Sequence, residues 1–476
     1  MAELLTDQLR MMAASFADDV ACTNVTTNET MTFAEWEARS NQVGRWLADQ
    51  GVTKGDRVAI LIPPWEPFAF LISYSATHKA GAVAVPLNTR LVEREIAALL
   101  EHSGSKVVLR ADSLVFDGDD SEFQVPLASN DIADVMYTSG TTGRPKGVVV
   151  RHGNIAMVPN SMPPKVSPKG WLHASPMFTF AGISSTYNPM KLGMELLYMP
   201  RFDVDAWFDV VEQRQPSATF IVPAMAELLI ASSRFVGADL SSLRICSLGS
   251  APVAPATVKM LQDKMPRAMV SNAWGMTEAG PAFCFMPEEE REKRIGSVGK
   301  PMPPTEFRIV DEVTGEELAP RDIGELIVRN PGREREYFND PEATAATWRD
   351  GWLHSGDLAF LDEDGFLYIV GRAKDVIIRG GNNIHATDVE SVLYEHLAVQ
   401  EAAVASVPHD VLGEDVAAWI VLVDGAKPTD EMIDDIKAFC ADRLSDYKIP
   451  RRITFVNELP RNATGKVVKK DLPGRG

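Results

Sequence analysis

Cysteine is scarce: 4 residues in 476, Cys22, Cys246, Cys284 and Cys440, never in CxxC spacing. That scatter excludes a disulfide framework and a thiolate zinc site and suits a reducing compartment. Basic residues are outnumbered, 47 Lys and Arg against 66 Asp and Glu for a net charge of −19, and they form no dense run. Such a surface repels a polyanion, so no nucleic-acid partner is expected. Long apolar runs are missing as well. The most apolar stretch, Phe68 to Val85, is broken by His78 and Lys79 and falls short of a membrane span. The first twenty residues have an amphipathic helical rhythm with early acids, where a secretory signal would place basic residues before an apolar block. A cytoplasmic protein with no transmembrane segment is the expectation.

What is present is ordinary globular material, 45% apolar and 24% charged. A single core rarely grows past about 250–300 residues, so more than one is expected. Thr32 and Glu35 can form a capping box opening a helix over 32–50 that Gly51 ends. The run 57–62, RVAILI, reads as a strand buried on both faces, followed by helix 67–79, strand 82–86, helix 92–102 and strand 106–109. Such alternation predicts right-handed βαβ units and a parallel sheet with helices on both sides. The acidic stretch 111–131 reads as a surface loop. Strands are expected again at 134–138, 218–223, 242–249 and 268–275, with ligands at their carboxyl ends. From about Val298 short strands and turns take over, and 376–476 reads as strand, helix, strand, strand, helix, strand. The fold class expected is α/β: a large N-terminal domain, 1–371, with mixed or parallel sheets flanked by helices, and a small mobile α+β domain, 375–476, with a hinge near 372–375.

The most specific segment is Tyr137-Thr138-Ser139-Gly140-Thr141-Thr142-Gly143-Arg144-Pro145-Lys146-Gly147. Its glycines let the backbone approach a phosphate while hydroxyls and a lysine supply donors, a loop suited to a polyanionic ligand. It is not a Walker A sequence, since Lys146 is followed by Gly147 rather than Ser or Thr. Together with NAWGMTE (272–278), SGD (355–357), GRAKD (371–375) and NATGK (462–466), it resembles the ordered motifs of the adenylate-forming superfamily, of the acyl-CoA synthetase type. The resemblance covers essentially the whole chain.

It implies ATP, Mg²⁺ and coenzyme A, a carboxylate that attacks the α-phosphate, and capture of the acyl adenylate by a thiol. Charge accumulating at phosphorus calls for preorganised donors and a divalent cation. By resemblance, Thr138, Ser139, Gly140, Thr141, Thr142, Gly143 and Lys146 wrap the phosphates. Gly249, Ser250 and Ala251, with Asn272, Ala273, Trp274, Gly275 and Met276, line the adenine site. Thr277 holds the α-phosphate, Glu278 and Thr142 hold the metal, Asp357 accepts the ribose hydroxyls, and Arg372 touches ribose or phosphate. Lys466 is the expected catalytic residue, since a flexible ammonium can reach both the acid and the α-phosphate. Lys374 is the hinge. Gly380 and Gly381, where a thiol channel would leave no room for a Cβ, and Arg90 are the CoA contacts. Phe178, Thr179, Gly182, Met225, Gly275 and Gly280 belong to an apolar acyl pocket.

Three departures matter. Trp274 stands where the family usually has Tyr, GNNIHA replaces the common GENIYP, and Thr179 follows Phe178 where many relatives have His. His173, nearby in sequence, reads as a packed or capping residue. The leading reading is an ATP-dependent carboxylate–CoA ligase. The alternative is a stand-alone acyl-AMP ligase that hands the adenylate to a carrier protein or second enzyme. A luciferase-type oxygenase is disfavoured by the PGRG ending, and a non-enzymatic AMP-binding regulator by intact Lys466 and Glu278. A homodimer is the assembly carried forward, although the sequence does not fix it.

Overall fold

The computed structural model describes residues 4–138, 146–155, 169–251, 253–280, 284–462 and 466–475. The first helix, Leu5–Ser15, docks through Leu5, Leu9 and Met12, each at most 3% exposed. The second, Phe33–Asp49, opens on the expected capping box: Glu35 N–H donates to Thr32 Oγ1 at 3.2 Å and Thr32 N–H donates to Glu35 Oε2 at 2.9 Å. Its apolar face, Trp36, Val43 and Leu47, packs on helix Pro67–Lys79. The acidic 111–131 stretch is a surface loop apart from one short turn, yet it is strapped down. Arg45 donates to Ser121 O at 2.9 Å and pairs with Asp119 at 3.0 Å, and Val125 N–H donates to Lys79 O at 2.7 Å.

Two large sheets follow from the βαβ pattern. One runs in the order Glu336–Tyr337, Lys146–Arg151, Ile132–Thr138, Val83–Pro86, Arg57–Ile60, Val107–Leu109. Its last four strands are parallel, as expected for buried apolar runs, and its first three are antiparallel neighbours, so the sheet is mixed. The other runs Met269–Asn272, Ile245–Leu248, Ala218–Ile221, Trp171–His173, Leu196–Tyr198, Val20–Asn24, Thr30–Thr32, parallel except for its final pair. Separate apolar cores lie against them, one around Trp36, Tyr74 and Tyr187 and one around Leu172, Phe208 and Leu248.

An antiparallel sheet then forms from Glu306–Val310, Gly324–Arg329, Trp352–Leu361, Trp348–Arg349 and Leu367–Arg372. A short turn, Ala373–Asp375, leads into a five-stranded C-terminal sheet with its own core of Ile377, Ile384, Val389, Val404 and Ile420. The molecule is thus a large N-terminal α/β part followed by a smaller C-terminal one. The expected order of elements in the latter needs one addition. The first strand is a hairpin, Val376–Arg379 and Asn382–His385, joined by Gly380 and Gly381 at φ 56° and 87°. Two consecutive left-handed residues make the tight turn whose twist matches antiparallel strands, which explains the glycine pair locally. A Cβ on Gly381 would meet nothing within 4 Å in this pose, where the backbone conformation accounts for glycine, whereas one on Gly380 would also stand 3.1 Å from Leu412 Cδ2. Among the described residues no helix is long and apolar enough to cross a membrane.

Candidate active site

The strand Ile132–Thr138 delivers Thr138 to the carboxyl edge of its sheet, directly opposite Lys146 on the antiparallel neighbour. The residues between, including Ser139, Gly140, Thr141, Thr142 and Gly143, lie outside the described ones. Thr138 Oγ1 donates to Glu278 Oε1 at 3.3 Å, and Tyr337 Oη donates to the same oxygen at 3.3 Å. Lys146 Nζ stands 4.7 Å from the Tyr337 ring centroid. Burial and the Glu278 charge push the Tyr337 phenol above its ordinary pKa, so it stays a neutral donor. Among the described residues both bonds to Glu278 fall on Oε1, and a carboxylate with hydroxyls beside it is a hard oxygen donor set that fits Mg²⁺.

Glu278 sits in a tight turn, where Ala279 N–H and Gly280 N–H each donate to Met276 O at 3.1 Å. This turn follows strand Met269–Asn272, whose parallel neighbour Ile245–Leu248 leads into Gly249, Ser250 and Ala251. Ser250 is held at φ 72°, an uncommon conformation for a residue with a Cβ and one that gathers at functional sites. Asn272, Ala273, Trp274, Gly275, Met276 and Thr277 thus run along the carboxyl ends of parallel strands, where open α/β sheets bind ligands.

Trp274 reaches out of this segment. Its Nε1–H donates to Asp357 Oδ2 at 2.8 Å, and Arg372 Nε pairs with Asp357 Oδ1 at 2.5 Å. Asp357 and Arg372 are direct cross-strand partners in the hairpin Trp352–Leu361/Leu367–Arg372. Asp357 is 5% exposed; burial raises its carboxyl pKa, while Arg372, the Trp274 hydrogen bond and Lys466 pull it back. Lys466 keeps exposed surface, but its ammonium is crowded: burial and the Arg372 charge lower its pKa against the opposing pull of Asp357 and Asp375. Thus Thr277, Glu278, Trp274, Asp357, Arg372 and Lys466, drawn from three separated stretches of chain, share one neighbourhood.

Trp274→Phe keeps a ring able to stack on a base but removes the N–H. Losing a hydrogen bond to a buried charged group costs about 1.5–3 kcal/mol, so the KM for ATP is expected to rise roughly tenfold or more. Pyrophosphate release with ATP varied measures it, and an unmoved KM would leave Trp274 no part in holding Asp357.

The expected acyl residues divide. Phe178 and Met225 are half-buried apolar groups and Gly275 is exposed. Thr179 is the N-cap of helix Phe180–Lys191: its hydroxyl accepts from Gly182 N–H at 2.9 Å and donates to Pro176 O at 2.8 Å. Gly182 is glycine because a Cβ would run into Pro176 O. Both therefore shape the entry to that helix. His173 is packed, as one of the two expected readings has it: it ends strand Trp171–His173 at 2% exposure with its ring against Tyr198, its Nδ1 accepts from Ser175 N–H at 3.1 Å, and burial pushes its pKa down to about 3. Arg90 is exposed in the loop after strand Val83–Pro86 and forms no ion pair among the described residues; Lys374 is exposed in the turn Ala373–Asp375.

Two residues escaped the sequence reading, Tyr337 and Arg335. Both lie in GREREYF, which looks like a solvated charge run. Arg335 is 5% exposed and Tyr337 8%, with Glu334 exposed between the two arginines. The period-two alternation leading into strand Glu336–Tyr337 was the available signal.

A family model described as "AMP-binding enzyme" matches residues 9–338, and a second, "AMP-binding enzyme C-terminal domain", matches 388–466. The chain is 36% identical over 471 residues to a feruloyl-CoA synthase of Amycolatopsis sp, covering 94% of each chain. It is 32% identical to a long-chain-fatty-acid–CoA ligase of Bacillus subtilis strain 168, covering 98% of this chain and 93% of that one. The solved o-succinylbenzoate CoA synthetase of Bacillus subtilis, in complex with its acyl-adenylate intermediate, superposes with a TM-score of 0.84 at 30% identity, over 98% of this chain and 97% of that one. The same enzyme in complex with ATP and magnesium ion gives a TM-score of 0.82 at 30% identity, over 98% of each chain.

Proposed function

The chain belongs to the AMP-binding enzyme family, and on that premise we propose which acid it takes and what its residues do. It is an AMP-forming acid–thiol ligase: a carboxylate displaces pyrophosphate from ATP to give an acyl adenylate, and the CoA thiol then displaces AMP. ATP, Mg²⁺ and CoA are its nucleotide, metal and thiol.

The observation that supports the residue roles is the double convergence, Trp274 and Arg372 on Asp357 beside Lys466, and Thr138 and Tyr337 on Glu278. Asp357 has lone pairs left on both oxygens for the ribose hydroxyls. Glu278, with Thr142, would hold Mg²⁺, which when bound neutralises phosphate charge. Thr277 donates to the α-phosphate, and Lys466 offsets the charge that develops as the carboxylate meets phosphorus. The C-terminal part, 375–476, turns about 372–375 after adenylation and brings Gly380 and Gly381 to the thiol, with Arg90 on the CoA phosphates.

The acid is apolar and bulky: medium-chain, aromatic or polycyclic. Phe178 and Met225 offer apolar surface, and the Thr179 hydroxyl is already spent on Pro176 and Gly182, so none of these three residues pairs an ammonium. A buried unpaired ammonium is costly, hence α-amino acids are rejected. A carboxylate panel scored in parallel by pyrophosphate release and by CoA thioester checks both points. The expected result is a higher kcat/KM for bulky apolar acids than for acetate or any α-amino acid, with thioester formed when CoA is the sole thiol. The opposite order would overturn the substrate class, and adenylate without thioester would point to a carrier-protein acceptor. Light scattering on the eluted protein tests the homodimer.

A further inference from the structure

The Thr277–Gly280 turn is braced from behind by one loop, residues 330–335, at both of its ends. Asn330 Nδ2 donates to Ala279 O at 2.9 Å, and Arg335 Nη1 donates to Thr277 O. The other arm of the Arg335 fork, Nη2, donates to Asn154 O at 3.1 Å. The guanidinium Cζ stands over the ring of Phe180, 4.6 Å from its centroid, at the first position of the helix that Thr179 caps. The fit is close: a Cβ on Gly280 would stand 3.1 Å from Arg335 Nη2. No carboxylate among the described residues forms an ion pair with this buried cation; Asp134 and Glu278 act on it only at longer range. A buried charge held by two carbonyls and a ring face is costly to keep for packing alone, because apolar residues of similar volume do that work as well or better.

We propose that Arg335 is a positioning residue that couples the acyl pocket to the phosphate and metal segment. The Phe180 ring packs against the guanidinium, while Thr277, next to Glu278, is bonded to its Nη1. The planar fork is rigid, so a bulky acid that seats Phe180 also fixes Thr277 and Glu278 where adenylation needs them. A short acid leaves the ring unsupported and the segment less well placed. Discrimination between acids therefore appears in the turnover of the first step as well as in binding. The inference rests on the adenylation reading above.

Arg335→Lys keeps the charge and loses the fork. For a bulky apolar acid the kcat of pyrophosphate release is expected to fall about tenfold or more, against a much smaller change for acetate. The bulky-to-acetate kcat ratio thus collapses, while thioester formation from supplied adenylate is retained. Phe180→Leu, which leaves Arg335 in place, is expected to lower the same ratio and serves should Arg335→Lys not fold. The double variant is expected to lose no more than the worse single one, since both cut one link. A proportional fall for all acids, or additive losses in the double variant, would reduce Arg335 to packing and overturn the proposal. If the wild-type protein releases no pyrophosphate with any acid, it is the adenylation reading that fails, and the coupling with it.

Discussion

Lys466→Ala is expected to lower the turnover of acyl-adenylate formation about 10²-fold or more with the KM for ATP nearly unchanged, because its charge matters most in the transition state. The side chain is the only thing such a variant removes. The backbone at Lys466 is held by its own reciprocal bonds, Lys466 N–H to Asn462 Oδ1 at 2.9 Å and Asn462 N–H to Lys466 O at 2.8 Å. Asp357 remains gripped by Trp274 and Arg372, so nucleotide binding has no reason to fail. Supplied with preformed adenylate, the variant should still make thioester. Equal loss of both half-reactions would mean that the lysine supports the fold or the nucleotide instead, and unchanged turnover would remove it from the chemistry altogether.

Lys374→Pro is the second variant with a large expected effect, and it acts on motion. Val376 N–H donates to Ala373 O, closing a turn in which Lys374 follows the acceptor. Proline fits that position well, since its fixed φ is the one such turns use, although Ala373 before it is crowded. The substitution therefore favours the pose seen here, with Lys466 beside Asp357 and Arg372. Adenylation is expected to survive in large part while thioester formation falls about tenfold or more, because the rotation needs backbone freedom at this turn. Pyrophosphate and thioester measured on the same samples decide it. A proportional fall in both would leave no support for a pivot at Lys374.

Much of this was legible before the fold because the motifs make local demands on the backbone. The capping box at Thr32 and Glu35 needs only four residues to be recognised, and it is present. The fifteen residues from Asp357 to Arg372, with GFLYIVG between them, are the length of a hairpin that sets the two side chains opposite each other. What stayed hidden depends on distant chain. The Trp274 N–H finds its acceptor 83 residues away, and nothing in its own segment says so. Arg335 sits among acids in a run whose composition suggests water, and only the packing of Phe180 and of the Thr277 turn around it reveals which arginine faces in. Gly380 and Gly381 have a local reason of their own, the hairpin turn they make at positive φ, which their place in a motif does not reveal.

That last point reaches beyond the pose described. A tip shaped by another part of the molecule loses its form once that part is left behind, whereas the Gly380–Gly381 turn is held by the strands it joins and by one bond inside the same C-terminal part, Gly380 N–H to Leu412 O at 3.0 Å. Each of these supports lies within 375–476, so the rotation proposed for that part would carry the turn unchanged. Whatever ligand it meets on arrival pays little ordering entropy to use it, since the conformation was fixed when the chain folded.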